Sequence, residues 1–500
     1  MLRQADIVSF FQEKAYKVII ASDAEPFVHR TTKQNGISTQ VSTGGVGVAL
    51  DGIARSSKAT FIARGRTPED KKVLDARGKV MDPTGNYVLK RMFFTDKELE
   101  RYYYGFANQT LWPLCHIAYH RPLFANEWFD GFQKVNDTFA KAIKDEIRGR
   151  TFIWLNDYHM PLVPNFLGRH KDTLIGFFWH IPWPTWEIYR ILPQRKVLLE
   201  SLLQCDFIGF HRGYQARNFL QCVEQELEAR IDLETNKVFY NKHVTTVKNL
   251  PLGIDTDVLK TMVEPPVDKP KIVSLLHKIF PKEPPTAIDK IFSHGKIILG
   301  VDRLDYTKGL LTRMQAIDLF FTKYPQYKRK VTHVELLALS REQIPAYSEL
   351  RRRLSESVRE INAKHQKGKW VPIIIEKGLF PREDIVRFYR KANVCLVTPL
   401  DDGMNLVSKE YVVVSGSDKE PGMLVLSRFA GSAIDLTDAV TVNPYNSEEI
   451  ADAIKKALEM PVKEKLRRMQ AMTLTLDDRN VHEWTRDFVR NTEQAAKENH

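Results

Sequence analysis

The sequence predicts an α/β chain of two doubly wound domains facing a central cleft. Three observations predict it. The 500 residues are more than one ordinary hydrophobic core holds. Short apolar runs recur between helix-like stretches, and their apolar character is continuous rather than alternating, which marks strands buried on both faces of parallel sheets. A break at Asn249–Asp255 (NLPLGID), followed by the Pro- and Lys-rich stretch Glu264–Lys271, separates the runs into two sets.

The expected strands before the break are Lys17–Ser22 (KVIIAS), Thr151–Asn156 (TFIWLN), Leu174–His180 (LIGFFWH) and Phe207–His211 (FIGFH). Those after it are Lys296–Val301 (KIILGV), Val331–Leu339, Val371–Glu376 (VPIIIE), Val394–Pro399 (VCLVTP), Met423–Ser427 (MLVLS) and Val440–Asn443. β-branched and aromatic residues dominate these runs, as pleated buried surfaces favour. A linker near 246–256 gives domains 1–248 and 249–476, and the charged amphipathic stretch 477–500 is expected to be a helix packing back on the first domain.

Composition narrows the function. With 43% hydrophobic and 27% charged residues and no low-complexity tract, the chain is globular. The excess of 74 basic over 62 acidic residues, a formal charge of +12, suits anionic small molecules. No homeodomain, zinc-finger or RNP signature accompanies it, so nucleic acid is not an expected partner. Cys115, Cys205, Cys222 and Cys395 are scattered, which speaks against a zinc site or a disulfide framework and for buried thiols in a reducing compartment. The opening MLRQADIVSFFQEK does not read as a secretory signal, and no apolar stretch has membrane-spanning length. A cytoplasmic protein with small-molecule substrates, no membrane partner and no cofactor or metal is expected; homo-oligomerisation stays open.

In open parallel sheets, ligands bind beyond the carboxyl ends of the strands, and the most unusual residues of this chain stand there. After KIILG comes VDRLDYTKGL, Val301–Leu310, in which Arg303 and Lys308 flank a turn closed by Gly309. Two fixed cations suit a diphosphate and would offset charge on a leaving phosphate. The plainer reading pairs them with Asp302 and Asp305. After VCLVTP comes TPLDDGMNLVSKEYV, Thr398–Val412. Gly403 permits a sharp turn, helix formers follow from Met404, and the amides of Asn405, Leu406 and Val407 would form a helix N-terminus ready for an anion. Glu410 could accept from ribose hydroxyls and Asp402 from sugar hydroxyls; the plainer role of Asp402 is an N-cap. The pair Asp401–Asp402 lacks a third ligand for a metal.

Further motifs are less specific. In GFFWHIPWP, His180 follows a strand and could bond to a sugar hydroxyl or a developing charge, although a lone His is more often structural. In WLNDYHMP, Asp157 could accept from an acceptor hydroxyl or merely cap the next helix. In VSTGGVGVALDGI, Gly44 and Gly45 let backbone approach a ligand closely, without the dinucleotide fingerprint.

Taken together, VDRLDYTKGL, DDGMNLVSKEY, HIPWP, WLNDYH and YYYGFANQTLWP (Tyr102–Pro113) resemble the trehalose-6-phosphate synthase family, in the same order and over about residues 17–490. The resemblance implies two Rossmann-like domains in the GT-B architecture, the first binding the acceptor and the second the nucleotide sugar. It implies a retaining, metal-independent transfer of glucose from UDP-glucose to glucose 6-phosphate. Arg303 and Lys308 would hold the diphosphate. The amides of Asn405, Leu406 and Val407 and the Glu410 carboxylate would hold phosphate and ribose, and Gly403 and Met404 would also bind the donor. Asp402 and His180 would touch the glucose, Phe380 would frame the uracil, and Gly45 belongs to a loop closing over the donor. Tyr103, Trp112, Asp157 and Arg341 fall on acceptor-side positions, Tyr103 and Arg341 near its phosphate.

Two departures concern the acceptor. The family pattern has Ser-Asn-Arg after its first strand, and that Arg binds the acceptor phosphate; here the residues are Ser22-Asp23-Ala24. The family's Trp-rich segment reads Thr60–Gly65 (TFIARG) here. Arg30, Arg64 or Arg66 could supply the missing cation. The alternatives are the same chemistry on another phosphorylated acceptor, as in a glucosylglycerol-phosphate synthase, or a catalytically silent sensor of sugar phosphates.

Overall fold

A computed structural model describes residues 2–32, 36–41, 45–170, 172–263 and 295–499; Gly44 and the stretch 264–271 lie outside them. The chain divides into two compact units. One comprises Met1–Gly253, Asp401–Met404 and Arg479–His500, the other Ile254–Leu400 and Asn405–Asp478.

In the first unit the strands are, in chain order, β1 (Lys17–Ser22), β2 (Phe27–Thr31), β3 (Ile37–Val41), β4 (Thr60–Arg64), β5 (Lys79–Met81), β6 (Val88–Met92), β7 (Thr151–Asn156), β8 (Thr173–Trp179), β9 (Phe207–Phe210), β10 (Arg230–Asp232), β11 (Lys237–Tyr240) and β12 (His243–Asn249). All but β2 and β3, which form a separate hairpin, lie in one sheet ordered β10-β11-β12-β9-β8-β7-β1-β4-β6-β5. From β12 through β6 every neighbour is parallel; β10, β11 and β5 are antiparallel at the edges. The chain leaves β1 in one direction through β4 and β6, then returns to build β7, β8 and β9 on the other side. The switch point therefore falls between β1 and β7, where such sheets bind ligands.

β7 and β8 are buried along their whole length. The helix Val481–Ala496 covers them: Phe488 stacks on Trp154 with centroids 4.1 Å apart, and Trp484 donates from Nε1 to the Leu250 carbonyl at 3.0 Å. Gly176 makes this approach possible, since a Cβ there would lie 2.7 Å from the Phe488 ring.

The second unit carries β13 (Lys296–Arg303), β14 (Val331–Ala338), β15 (Ile373–Lys377), β16 (Val394–Val397), β17 (Met423–Ser427) and β18 (Val440–Val442). All pairs are parallel in the order β15-β14-β13-β16-β17-β18. This is the doubly wound Rossmann order, with the switch point between β13 and β16.

The structure differs from the sequence reading at several edges. β12 continues to Asn249, so the first residues of the expected linker are strand. β15 begins two residues later than Val371, beyond Pro372, which lacks the N–H a ladder needs. β4, absent from the expected strands, is a fully buried strand whose short apolar run ends in a charged residue, Arg64.

Candidate active site

At the switch point of the first unit, β1 ends in Ser22 and is followed by Asp23, which is buried. Arg64, at the end of the neighbouring β4, grips the Asp23 carboxylate side-on: Nε and Nη2 each donate at 2.8 Å. The Tyr102 hydroxyl donates to the same carboxylate at 3.1 Å. Burial alone would raise the Asp23 carboxyl, but the Arg64 charge outweighs it and holds the group well below the carboxylate range. The Arg64 guanidinium also lies 4.6 Å over the Tyr103 ring, which stacks on His159 at 5.7 Å and 9°. Tyr102 and Tyr103 belong to a π-helix, Glu100–Leu111, whose wider turn ends where the Trp112 N–H reaches the Ala107 carbonyl; such turns recur at functional sites. Of the three cations offered as replacements, Arg64 is at the strand end and is neutralised by Asp23, while Arg30 and Arg66 are exposed.

Asp157 follows β7 with φ +74, a left-handed backbone, and its carboxylate accepts from the Tyr158 N–H at 2.9 Å. Trp112 is buried against His116 and Tyr158. His180 follows β8 and is buried; its Nε2 meets Asn156 Oδ1 at 3.1 Å, and Nδ1 has no hydrogen-bond partner. Asn156 donates from Nδ2 to the Ala21 and Trp154 carbonyls, each at 3.3 Å, so its Oδ1 faces the ring and Nε2 carries the proton. Burial pushes the imidazole well below its usual pKa, and His211 adds to this. His180 is thus neutral at pH 7, with an acceptor lone pair on Nδ1. Within the same unit, Gly403 runs over the His180 carbonyl, where a Cβ would lie 2.2 Å from the oxygen. Asp402 is half-buried and Met404 buried. Asp401 Oδ2 accepts from the Ile117 N–H at 3.1 Å. Gly45 is the first residue of the helix Gly45–Ser57.

In the second unit, Arg303 ends β13 and is exposed. Lys308 closes the short 3-10 turn Tyr306–Lys308, whose cap is Asp305 accepting from the Thr307 N–H at 3.1 Å. Gly309 has φ +66, and a Cβ there would lie 2.3 Å from the Thr398 carbonyl oxygen, so both its backbone and its contact demand glycine. Asp302 binds Arg313 at 2.7 Å and Asp305 binds Arg341 at 3.3 Å, while the charges of Arg303 and Lys308 also bear on Asp305 and that of Lys308 on Asp302. Arg341 is buried, has φ +52, and also donates to the Tyr347 hydroxyl at 2.7 Å.

Past β16, the helix Leu406–Gly416 is capped by Asn405, whose Oδ1 accepts from the Ser408 N–H at 3.0 Å. Asp402 is therefore not the cap, and the helix begins at Leu406 rather than Met404. The first-turn amides are those of Leu406 and Val407; Asn405 precedes the helix with φ +73. Glu410 stands in the second turn, where Tyr389 donates to Oε2 at 3.3 Å and Arg382 lies 3.7 Å from Oε1. Burial raises its carboxyl, against Arg382 and Tyr389. Phe380 is half-buried just beyond β15.

Each unit thus gathers its own set. Asp23, Arg64, Tyr103, Asn156 and His180 meet at or around the strand ends of the first, and Arg303, Lys308 and the Asn405-capped helix at those of the second. The sequence reading missed Asn156 and Arg313; each is a polar residue inside an apolar stripe, WLN and LLTRMQAIDLFF, which is itself a signal. Among the described residues no group of three or more His, Cys, Asp or Glu could hold a metal ion.

Comparison with known proteins places this arrangement. The sequence pattern of glycosyltransferase family 20 matches residues 16–494. The UDP-forming α,α-trehalose-phosphate synthase of Schizosaccharomyces pombe is 32% identical over 480 residues, 95% of this chain and 90% of that one. The E. coli protein solved with UDP-2-fluoro glucose bound aligns with a TM-score of 0.81 at 29% identity, over 96% of this chain and 99% of that one. The Burkholderia xenovorans synthase in complex with glucose-6-phosphate aligns with a TM-score of 0.82 at 27% identity, over 95% of this chain and all of that one. A glycosyltransferase of two doubly wound sheets, this chain belongs to glycosyltransferase family 20.

Proposed function

We propose that this protein is a UDP-forming α,α-trehalose-phosphate synthase, transferring glucose from UDP-glucose to glucose 6-phosphate with retention of configuration and without a metal. The observation that carries the reading is the second unit's switch point, where Arg303, Lys308 and the amides of Leu406 and Val407 stand at the ends of β13 and β16. Two cations and a helix N-terminus form a receptor for a diphosphate and stabilise the charge it gains on leaving. Glu410 would accept from ribose hydroxyls, with Phe380 beside the base. The second unit is thus the donor half and the first the acceptor half, with Tyr103, Trp112 and Asp157 on the acceptor sugar. His180, neutral with a lone pair on Nδ1, would accept a bond from a glucose hydroxyl, and Asp402 another. For a front-face transfer, the leaving phosphate oxygen takes the proton of the incoming hydroxyl; the protein supplies position and charge rather than a nucleophile. The four buried free cysteines support a reducing, cytoplasmic setting, and no described helix is long and apolar enough to cross a membrane.

A second reading keeps the donor and changes the acceptor. It is favoured by the Asp23–Arg64 pair, in which the carboxylate offsets the charge of the guanidinium at the end of β1. One assay separates the two: UDP-, GDP- and ADP-glucose are offered with glucose 6-phosphate, glycerol 3-phosphate and glucose, and the product's anomeric configuration is read by NMR. Trehalose 6-phosphate from UDP-glucose supports the first reading. Transfer to glycerol 3-phosphate alone supports the second, and no transfer to any acceptor removes both.

A further inference from the structure

A fully buried arginine connects the Lys308 turn of the second unit to the end of β16. Arg313 lies in the helix Leu310–Lys323 with no exposed surface. Its Nη2 reaches Asp302 Oδ2 at 2.7 Å, at the end of β13. Nη1 donates to both Glu335 oxygens, on β14, at 2.9 Å. Nε donates to Thr398 Oγ1 at 3.1 Å, just past β16, and Nη2 also reaches the Lys308 carbonyl at 3.4 Å. One guanidinium therefore holds four segments, including the Lys308 turn and the residue from which the Asn405 helix is approached. Gly300 leaves room for this: a Cβ there would lie 2.3 Å from Glu335 Oε2 and 2.7 Å from Arg313 Nη1. The turns are also joined by backbone, the Leu400 N–H donating to the Thr307 carbonyl at 2.7 Å.

We propose that Arg313 is a positioning residue for the donor diphosphate: it fixes the Lys308 turn against the end of β16, and so sets the spacing between the Lys308 ammonium and the Leu406 and Val407 amides. The inference rests on the donor reading above. A planar fork with five donors can serve all four partners at once, whereas a lysine ammonium is a point charge with three. Small displacements of groups that meet a substrate have large effects on its reaction, so a loosened turn acts on nucleotide binding before it acts on the fold.

The test uses Arg313→Lys and the nearly isosteric Thr398→Val, which removes only the acceptor for Nε. Binding of UDP is measured by calorimetry, with the Michaelis constants of both substrates and the melting temperature. The expected result is UDP binding weakened at least tenfold in Arg313→Lys and at least threefold in Thr398→Val, with the Michaelis constant for glucose 6-phosphate within twofold of wild type. A lowered melting temperature with unchanged UDP affinity in the folded protein would make Arg313 merely structural and overturn the proposal. Should Arg313→Lys fail to fold, Thr398→Val decides by the same criterion. If the wild type itself binds no UDP, the donor reading falls and the proposal with it; normal wild-type binding with unaffected variants overturns the positioning role alone.

Discussion

Replacing Asp23 by Asn should tighten the hold on a phosphorylated acceptor while weakening the fold. Arg64 now spends Nε and Nη2 on the Asp23 carboxylate, both at 2.8 Å, in a pair whose side chains are 10% and 2% exposed. A phosphate arriving at the end of β1 meets a cation already neutralised. Asn keeps the shape and one acceptor oxygen but removes the opposing charge, leaving Arg64 over the Tyr103 ring with a full positive charge to offer. A charge-assisted bond to a phosphate is worth about 1.5–3 kcal/mol, roughly ten- to a hundredfold in affinity. Breaking a buried pair costs about 3–5 kcal/mol, and partial exposure with the ring contact puts this one near the lower end, so the melting temperature should fall by several degrees. The assay is the Michaelis constant for glucose 6-phosphate and, separately, for glucose, in both proteins. The reasoning requires a gain confined to the phosphorylated sugar. Equal changes for both sugars, or none for glucose 6-phosphate, would show that Arg64 does not face the acceptor's anion. Ala24→Arg is the companion: it adds a cation without touching the pair, and a tenfold gain there means that no other cation serves the phosphate in the wild type.

Arg303→Ala and Lys308→Ala should each lower turnover at least a hundredfold with unchanged melting temperature, since removing one charge-stabilising donor raises a barrier by about 3–4 kcal/mol; near-normal turnover in both refutes their role. Treatment with EDTA should leave activity intact, and loss restored by a divalent ion would assign Asp401 and Asp402 to a metal instead. Glu25→Gln should stabilise the fold at pH 8 and not at pH 4. Burial raises the Glu25 carboxyl to about 7, against the pull of Arg91, whose Nε lies 2.7 Å away. The folded state therefore holds the proton that the unfolded chain releases near pH 4.5, and stability falls as pH rises from there to about 7, by about 3 kcal/mol in all. Parallel stability–pH curves for the two proteins would contradict this.

What the sequence reveals about the fold depends on how a strand is buried. KVIIAS, TFIWLN, KIILG and MLVLS are central, covered on both faces, and so appear as unbroken apolar runs. Their boundaries shift by only a few residues in the structure. TFIAR is equally buried, yet its Arg64 breaks the run, because the cation is satisfied by Asp23, 41 positions earlier in the chain. Strand β12 is hidden for the opposite reason: HVTTVKN mixes Thr and Lys with its apolar residues, and Thr245 is satisfied by the Cys205 carbonyl at 2.8 Å. Periodicity cannot report a polar residue whose partner is remote in sequence.

The candidate site divides along the same line. Residues proposed to meet a ligand from a strand end, such as Arg303, Lys308 and His180, are visible because an apolar strand points at them. Residues that hold these in place are visible only through their partners. Asn156 sets the proton on His180 Nε2 because two carbonyls, one of them from β1, claim its amide hydrogens. Arg313 would count as an ordinary helix former until Asp302, Glu335 and Thr398 converge on it. Asp402 illustrates the converse: capping logic favoured it from the sequence, but the left-handed backbone of Asn405 delays the helix start and takes over the cap. Local rules thus locate where chemistry can happen, and the register between strands decides which polar residues are free to perform it.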